Sequence, residues 1–413
     1  MKIADFVVLT LCFMLPTALT ASPWKFERAI DVSGPNNSNT GYFHHIDSSG
    51  RRNIAVSEQI IAIAWEDDRD GTPRIYLAHK KAADGLFNHE TRLSGGGEAY
   101  EPSLVAISGG RFVIAWEEDG YIHARMASLE GTPVLGPIVK VDSNPSSQVN
   151  LTTQGDRAYA VWSQRRGRFG RIHATDLRPN EKGVLEIGMA CPVDAIPPTD
   201  EQLYPAAVII DGRLLVTWED RRPKHTIIMA AVGHPDDPCR FSAAIRISEK
   251  PEIRGLPYGS GHGVSRVALG HYGHRGVFAA WEDKRDFRDG YDIWGAPFLS
   301  AESRFGSNVK LQDDFGELAK QRHAALSGHR DGTLVAAWDD EREGNTDVVL
   351  SWQDDGVWSD DWLLPVASGE GHQSNPSIML DTRGDLHIIW IERQDIGATT
   401  RLKYARGRRH IDK

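Results

Sequence analysis

A short apolar run that ends in tryptophan, followed by acidic residues and then usually by arginine, occurs seven times in this sequence. The first copy, residues 61–69, reads IAIAWEDDR. The tryptophans that mark the copies are Trp65, Trp116, Trp162, Trp218, Trp281, Trp338 and Trp390. They follow one another at spacings of about 46 to 63 residues, the length expected for the blades of a β-propeller. The repeat therefore predicts a ring of similar units.

Each repeat also contains the signals of four short strands. A segment such as residues 101–104, which read EPSL, precedes the tryptophan strand, and a turn sequence such as Asp211-Gly212 separates the two. Two further strand segments follow, and no segment shows a sustained helical period with caps. These patterns predict an all-β chain, folded as a seven-bladed β-propeller of four-stranded antiparallel blades. Residues 22–413 are assigned to this single domain, because blades of one ring cannot be divided into independent cores.

The two ends of the chain predict how the ring closes. The last repeat, which contains Trp390, runs out of sequence after its third strand. Residues 26–33, near the N-terminus, have the pattern of a fourth strand but follow no other three. We therefore expect the N-terminal strand to complete the last blade, which would remove two open sheet edges.

The N-terminal segment has the pattern of a secretory signal peptide. Lys2 is followed by an apolar core from Phe6 to Leu15 and then by small residues up to Ala21. An apolar core of this length is too short to span a bilayer, and the small residues suit cleavage. We predict that residues 1–21 are a signal peptide and that the protein is periplasmic or secreted, without a membrane span.

Two cysteines remain beyond the predicted signal peptide. Cys191 and Cys239 lie 48 residues apart, close to one repeat, and an exported protein meets an oxidising environment. Equivalent regions of adjacent blades can be neighbours, so a disulfide between them is one interpretation. Two unpaired thiols are the other.

Composition limits the classes of partner. The formal net charge of -10 argues against a nucleic-acid partner, which would require a basic surface. We expect a monomer whose partner is a carbohydrate or a protein of the cell envelope. No metal site or other cofactor is predicted. Calcium is the alternative, but the aspartates at 67, 68 and 70 and at 286, 289 and 292 lack an ordered ligand pattern.

The acidic and arginine residues of the repeat are predicted to be structural. A residue type that recurs in most blades serves the blade, whereas an active centre needs unique groups. The acidic residue two positions after tryptophan (as in Asp67 or Asp220) and the arginine four positions after it (Arg69, Arg222) are expected to pair across a loop. As an exposed pair they would contribute about 0–1 kcal/mol.

The loops between blades are the predicted place for a functional site. They share one face of the ring with the start of each inner strand, and they differ from blade to blade. Histidine, tyrosine, arginine and carboxylate groups that converge there would suit an anionic sugar, or proton transfer on one. The candidate ligand-binding residues are His44, His45, Arg52, Tyr100, Glu101, Tyr204 and His262. The candidate catalytic residues are His323, His372, Tyr258 and Arg322. For each residue alone, a solvated or turn-capping role is the alternative.

The seven tryptophan phrases resemble those of bacterial exported propeller proteins with Trp-Glu-Asp-x-Arg repeats, which are grouped loosely with the sialidase-like superfamily. The resemblance covers nearly the whole chain after residue 21 and implies the propeller fold. The Asp boxes of sialidases, Ser-x-Asp-x-Gly-x-Thr-Trp, and their Phe-Arg-Ile-Pro segment are absent from this sequence. Without these motifs, the substrate-binding arginines and the Tyr–Glu pair of sialidases cannot be mapped onto this sequence. By analogy with other seven-bladed propellers, we expect a ligand-binding protein, with a polysaccharide lyase or glycosidase-like enzyme as the alternative.

Overall fold

The computed structural model of the chain describes residues 22–34, 41–47, 50–87, 90–180, 182–234, 237–250, 263–274, 276–285, 290–313, 318–354 and 356–410. The predicted signal peptide and two candidate site residues, Tyr258 and His262, lie outside the described residues.

Seven antiparallel sheets form the fold, and the prediction of a seven-bladed all-β propeller is confirmed. Blade 1 contains His44–His45, Ile54–Ser57, Ile60–Asp67, Arg74–Lys81 and Thr91–Arg92. Blade 2 contains Ala99–Ile107, Arg111–Glu118, Tyr121–Ser128, Val134–Leu135 and Val139–Lys140. Blade 3 contains Ser146–Gln154, Arg157–Arg166, Phe169–Pro179, Leu185–Ile187 and Cys191–Pro192. Blade 4 contains Gln202–Ile210, Arg213–Asp220, Ile227–His234, Asp237–Phe241 and Ile245–Arg246.

The remaining three blades have the same order of strands. Blade 5 contains Val264–Tyr272, Gly276–Asp283, Asp292–Leu299, Arg304–Phe305 and Val309–Lys310. Blade 6 contains Gln321–Gly328, Leu334–Asp340, Asp347–Asp354, Val357–Trp358 and Trp362–Leu363. Blade 7 contains His372–Leu380, Leu386–Arg393, Thr400–Arg409, Trp24–Phe26 and Ile30–Asp31. In blades 2 to 7 two short segments together form the fourth, outermost strand.

The N-terminal strand closes the ring, as predicted. Trp24 pairs with Arg409 and Ile30 pairs with Tyr404, both in antiparallel register on the third strand of blade 7. The side chain of Trp24 is buried, and its indole N–H donates to the carbonyl of Gly384 at 2.8 Å. The first and last parts of the chain therefore share one sheet and one core cluster.

The tryptophans of the repeat form the core between neighbouring sheets. All seven are fully buried, on strands whose other residues are mostly small or aliphatic. Trp281, for example, lies in one cluster with Leu215 and Ile228 of the preceding blade and Phe298 of its own. The apolar run thus holds adjacent blades together, because each sheet presents one face to each neighbour.

The predicted pairing of acidic residue and arginine is confirmed, but the pair is not exposed. The aspartate carboxylate lies in the core, where it accepts the indole N–H of tryptophan as well as the arginine. The Arg–Asp contacts are Arg69–Asp67 at 2.6 Å, Arg222–Asp220 at 2.8 Å, Arg285–Asp283 at 2.6 Å and Arg342–Asp340 at 2.7 Å. The corresponding indole bonds come from Trp65, Trp218, Trp281 and Trp338. The indole N–H needs a partner once it is buried, and this draws the carboxylate inward.

A disulfide joins Cys191 of blade 3 to Cys239 of blade 4, with Cα atoms 5.0 Å apart. Cys191 is buried and lies on the outer strand of its blade. The bond ties two neighbouring outer strands together. Among the described residues, no helix is long and apolar enough to cross a membrane.

Replacing both cysteines by serine is expected to lower the free energy of unfolding by about 2–4 kcal/mol, since the cross-link restricts the unfolded chain. Equilibrium denaturation with and without reductant measures the effect. The parent protein should become less stable in reductant, whereas the Cys191→Ser/Cys239→Ser variant should not respond. A parent protein that is indifferent to reductant would contradict the cross-link.

Candidate functional site

The inner strand of blades 2 to 7 is interrupted by a one-residue irregularity at the same place. Pairing with the second strand shifts there, as between Tyr100 and Ser103 in blade 2. One non-glycine residue at each shift has a left-handed backbone, with φ between 47° and 61°. These six residues, called the ring residues below, are Glu101, Gln148, Tyr204, Arg266, His323 and Asn375.

A carboxylate of the preceding blade stabilises most of these bends. The acidic residue directly after the repeat tryptophan accepts a hydrogen bond from the backbone N–H of the next blade's ring residue. The pairs are Glu66 with Glu101, Glu117 with Gln148, Glu219 with Arg266, Glu282 with His323 and Asp339 with Asn375. In blade 3 the position after tryptophan is Ser163, and the Gln148 side chain instead accepts from Tyr204 at 2.9 Å.

The ring residues therefore differ in type from blade to blade, although they share the same left-handed backbone conformation. A left-handed backbone costs about 1–2 kcal/mol for a residue other than glycine, and only asparagine and aspartate adopt it readily. Yet five of the six ring positions hold other residues, and no two positions hold the same one. Backbone strain of this kind is typical of functional sites, where surrounding structure holds a side chain in a required direction.

Blade 1 departs from this pattern by an insertion. His45 pairs with Glu66 as Tyr100 pairs with Glu117 in blade 2, but seven residues, 46–52, replace the two-residue bend. The described residues of this segment, 46, 47 and 50–52, contact inner strands of several blades. The carbonyl of Arg52 accepts from the backbone of blade 2, and a Cβ on Gly50 would lie 2.4 Å from the Val267 carbonyl of blade 5. Glycine is thus required where the segment crosses the channel.

Arg51 anchors the inserted segment. Its side chain is buried and donates to the Val149 carbonyl of blade 3 at 3.2 Å. It forms ion pairs with Asp47 at 2.5 Å and with Glu101 at 2.6 Å. Burial opposes the charge, but Glu101 and Asp47 prevail and raise the pKa of Arg51. Residues of this segment line two separate cavities, Ile46 and Asp47 the first and Arg52 the second.

The part of the central channel on the side of the inter-blade loops contains a cavity of about 350 Å³, called the ring cavity below. Its lining comes from five different blades, which places it on the axis of the ring. The lining residues are His45, Ile46, Asp47, Glu66, Tyr100, Glu101, Glu117, Arg266, His323 and Asn375. Arg266 lies 3.8 Å above the ring of Tyr204 and donates to Asp47 at 2.6 Å.

His323 is held beside a buried carboxylate. Its Nδ1 lies 2.7 Å from Asp339 Oδ2, and its backbone N–H donates to Glu282. Burial by itself would lower the pKa of this imidazole, but the contact with Asp339 outweighs burial and raises the pKa to about 9. At neutral pH the lining of the ring cavity therefore includes the His323 imidazolium as well as the Arg266 guanidinium.

Two carboxyl groups of the ring cavity, those of Glu66 and Glu117, have raised pKa values. Burial raises the pKa of Glu66 to about 7, against the hydrogen bond from Glu101. Burial and then the nearby Glu101 carboxylate raise the pKa of Glu117 to about 8. At neutral pH these groups are largely or partly protonated, so they can donate a hydrogen bond or a proton.

The structure brings together several residues that the sequence analysis singled out. His45, Tyr100, Glu101 and His323 line the ring cavity. Tyr204 lies against it, stacked on Arg266. Arg322 directly precedes His323 in the sequence but does not itself line the cavity. Its guanidinium is half-exposed and lies 3.7 Å from the Glu282 carboxylate.

Three other candidates lie elsewhere. His44 is buried inside blade 1 between Ser33 and Thr400, and burial, reinforced by the charge of Arg69, lowers its pKa to about 3. Arg52 faces the opposite half of the channel. His372 is the first residue of the inner strand of blade 7, and its Nδ1 lies 3.4 Å from the Thr346 hydroxyl. Alternation along a strand separates neighbours such as His44 and His45 onto opposite faces.

Sequence reasoning did not select six of the lining residues: Ile46, Asp47, Glu66, Glu117, Arg266 and Asn375. Glu66 and Glu117 belong to the repeat, and the acidic residues of the repeat were predicted to be structural. Both do have a structural role, since they accept backbone hydrogen bonds from Glu101 and Gln148. A signal for Arg266 and Asn375 was present, because both align with Glu101 and His323 at the same position of the repeat. No group of three or more metal-ligating side chains occurs in the described part of the chain.

Replacing Asp339 by asparagine is expected to lower the pKa of His323 from about 9 to its ordinary value of about 6.5 or below, since burial then dominates. An NMR titration of the imidazole measures this. A group with a raised folded pKa stabilises the protein fully below about pH 6.5, and that stabilisation is lost as pH rises through about 9. The stability difference between the parent and Asp339→Asn should therefore shrink above pH 9. An unchanged titration in the variant would exclude Asp339 as the cause.

No protein-family model matches the sequence, and no curated protein matches it. Solved structures do match. The crystal structure of a protein of unknown function from Dyadobacter fermentans DSM 18053 superposes with a TM-score of 0.58 at 10% identity, over 94% of this chain and 100% of that one. The polysaccharide lyase Uly1 superposes with a TM-score of 0.59 at 10% identity, over 93% and 99%.

A third similar structure is the GH93 α-L-arabinofuranosidase of Fusarium graminearum in complex with arabinobiose. It has a TM-score of 0.51 at 10% identity and covers 94% of this chain and 98% of that one. Identities this low show a shared fold and no more. The chain is thus a seven-bladed β-propeller whose structural neighbours include carbohydrate-active enzymes.

Proposed function

We propose that this protein binds an acidic carbohydrate chain in the ring cavity. One observation carries the proposal: six different side chains, held in strained left-handed conformations on a repeated frame, occupy the ring positions, and four of them line one cavity of about 350 Å³. A purely structural bend would favour glycine or asparagine at every position. The variation therefore indicates that the side chains themselves are required.

The chemistry of the cavity suits a saccharide with carboxylate groups. Arg266 offers a planar guanidinium and His323 an imidazolium to a carboxylate. The Asn375 amide and the carboxyl groups of Glu66 and Glu101 provide donors and acceptors for hydroxyl groups. Such a concave site with a few fixed polar groups is typical of small-ligand and sugar subsites.

The comparisons support the carbohydrate part of the proposal. The matching structures include proteins described as a polysaccharide lyase and an α-L-arabinofuranosidase. We further propose that the protein acts in the periplasm or outside the cell. The signal-peptide pattern of residues 1–21 and the Cys191–Cys239 disulfide support that location.

An enzyme acting on the same chain is the second candidate. It is favoured by the pKa values of Glu66, about 7, and Glu117, about 8. A carboxyl group that is protonated near neutral pH can deliver a proton to the oxygen of a cleaved glycosidic bond. The same observation fits a binding site in which a neutral carboxyl donates a hydrogen bond, so turnover decides between them.

The test is a binding screen on the purified protein, residues 22–413. Immobilised polygalacturonate, alginate and hyaluronan serve as acidic chains, and arabinan and cellulose oligosaccharides serve as neutral ones. The proposal expects binding to at least one acidic chain, competed by its oligosaccharides. Binding that survives loss of the ring cavity's cations, or binding to neutral chains only, would contradict it.

Turnover is measured on every chain that binds. Absorbance of unsaturated products reports a lyase, and new reducing ends report a hydrolase. Either signal, if it is lost in Glu117→Gln and in Glu66→Gln, would replace the binding proposal by the enzymatic one. Binding without either signal supports the binding function.

A further inference from the structure

The inserted segment of blade 1 leaves a second cavity in the other half of the central channel. This cavity has a volume of about 210 Å³ and lies near the ends of the inner strands. Arg52 enters it from the segment. Thr152, Thr153, Ile209, His271 and Ser327 form part of its wall. Residues from blades 1, 3, 4, 5, 6 and 7 line it, so it lies on the axis of the ring, as the ring cavity does.

Arg52 differs from its neighbour Arg51 in having no counter-charge. Arg51 forms ion pairs with Asp47 and Glu101. Within the described ranges, Arg52 has no ion pair and its guanidinium has no hydrogen bond, although its backbone carbonyl accepts from Leu104. The residues that line its cavity include no aspartate or glutamate.

The environment makes this isolated charge costly. Burial lowers the pKa of Arg52, and no carboxylate acts against that effect. Guanidinium nonetheless stays protonated in proteins, so the charge remains. The Arg52 side chain is half-buried, and a charge that is partly withdrawn from water without a partner is unfavourable, so a bound anion would relieve that cost.

The wall of the cavity can complete the coordination of an anion. Ser327 Oγ accepts from the Leu380 backbone N–H at 2.9 Å, which leaves its own hydroxyl hydrogen available to donate. Burial, with the charge of Arg52, lowers the pKa of His271, so at neutral pH its imidazole is uncharged and adds no second cation to this wall. Thr152 adds a hydroxyl to the same wall.

We propose that Arg52 and the surrounding wall form an oxyanion site, which binds phosphate, sulfate or a carboxylate. Arginine presents a planar fork that matches two oxygens of such a group. The lining of this site shares no residue with that of the ring cavity, so the oxyanion site stands independently of carbohydrate binding there. Its ligand is either a free inorganic anion or the carboxylate of a uronic acid, and the experiment below distinguishes the two sources.

Isothermal titration tests the site with three probes: inorganic phosphate, sulfate and glucuronate, with glucose as the neutral control. We expect the parent protein to bind at least one of the anions and not glucose. Arg52→Gln should weaken that binding at least about tenfold, and Arg52→Lys, which keeps the charge, should weaken it less. Arg330→Gln is the matched control, since Arg330 is exposed in the hairpin turn that follows Ser327 and Gly328, and it should bind as the parent does.

Crystals of the parent protein soaked in selenate locate the anion by anomalous scattering, without relying on any variant's folding. A peak within hydrogen-bond distance of the Arg52 guanidinium is expected. Binding of phosphate or sulfate alone identifies a free anion, and binding of glucuronate alone identifies a sugar carboxylate. The proposal is overturned if no anion binds the parent, if folded Arg52→Gln binds as tightly as the parent, or if the selenate peak lies elsewhere.

Discussion

Replacing Asp220 by alanine is expected to lower the free energy of unfolding by about 3–5 kcal/mol. The carboxylate is fully buried and accepts the indole N–H of Trp218 at 3.1 Å and the amide of Gln202 at 3.0 Å. It also accepts two bonds from the Arg222 guanidinium, at 2.9 Å and 2.8 Å. Its removal leaves the buried indole N–H of Trp218 without its acceptor, and it leaves Gln202 and Arg222 with Asp194 as their remaining carboxylate partner. Equilibrium denaturation, followed by tryptophan fluorescence, measures the loss.

The matched control is Glu392→Ala, at the same repeat position in blade 7. The indole N–H of Trp390 is buried without a hydrogen-bond partner among the described residues, and Glu392 instead lies half-buried, 3.6 Å from Lys403. This variant should therefore cost no more than about 1 kcal/mol. Equal losses at Asp220 and Glu392 would show that the buried hydrogen bonds are not the source of the stability.

The effect of Asp220 also depends on pH in a defined direction. Burial alone would raise its pKa, but the hydrogen bonds from Arg222 and Gln202 outweigh burial and lower it. A group with a lowered folded pKa stabilises the protein fully above its unfolded pKa of about 3.9, and this stabilisation is lost as pH falls through the folded value. The difference between parent and Asp220→Ala should thus be constant from pH 5 to 7, values chosen for the test, and shrink in stronger acid.

The largest expected functional effect comes from removing both cations of the ring cavity. The variant Arg266→Asn/His323→Asn should weaken binding of an acidic oligosaccharide at least about 100-fold. Each charged hydrogen bond contributes about 1.5–3 kcal/mol, and about 1.4 kcal/mol corresponds to tenfold. Asparagine is the suitable replacement because it tolerates the left-handed backbone and already occupies the ring position at Asn375. Titration with the oligosaccharide selected in the binding screen measures the loss.

His372→Asn is the control for this variant. The sequence analysis placed His372 in the site, but the structure places its ring against Thr346, outside the ring cavity. It should bind as the parent protein does. If His372→Asn lost as much affinity as the double variant, the ligand would lie on the outer inter-blade loops and not in the ring cavity.

The seven-bladed fold and its closure by the N-terminal strand could be predicted because both depend on local patterns that recur. Each tryptophan phrase has a strand period and a turn, and counting strands shows which blade is incomplete. The energy of the Asp–Arg pair could not be predicted in this way. Spacing suggests an exposed pair, but the buried indole N–H of Trp218 draws Asp220 into the core, where its bonds contribute more.

The face of the ring on which the ring cavity lies could be predicted from the sequence. Its lining residues could be predicted only in part. His45, Tyr100, Glu101 and His323 lie in loops or strand starts that the sequence places on one face. His44 was misplaced because neighbouring residues of a strand face opposite sides, and Arg52 was misplaced because it lies in the inserted segment and not on a strand. The places of Tyr258 and His262, the signal peptide and the sialidase-like grouping stay predictions.

The sequence by itself determined the ring, since seven copies of one apolar pattern can bury their tryptophans only against one another. Only the tertiary structure decided what the ring contains. Residues 46–52 carry no pattern that predicts a path through the channel, because their contacts, from Leu104 to Val267, are distant in sequence. Those contacts pair Arg51 with two carboxylates, whereas Arg52 has no ion pair among the described residues, so two adjacent arginines acquire different chemistry.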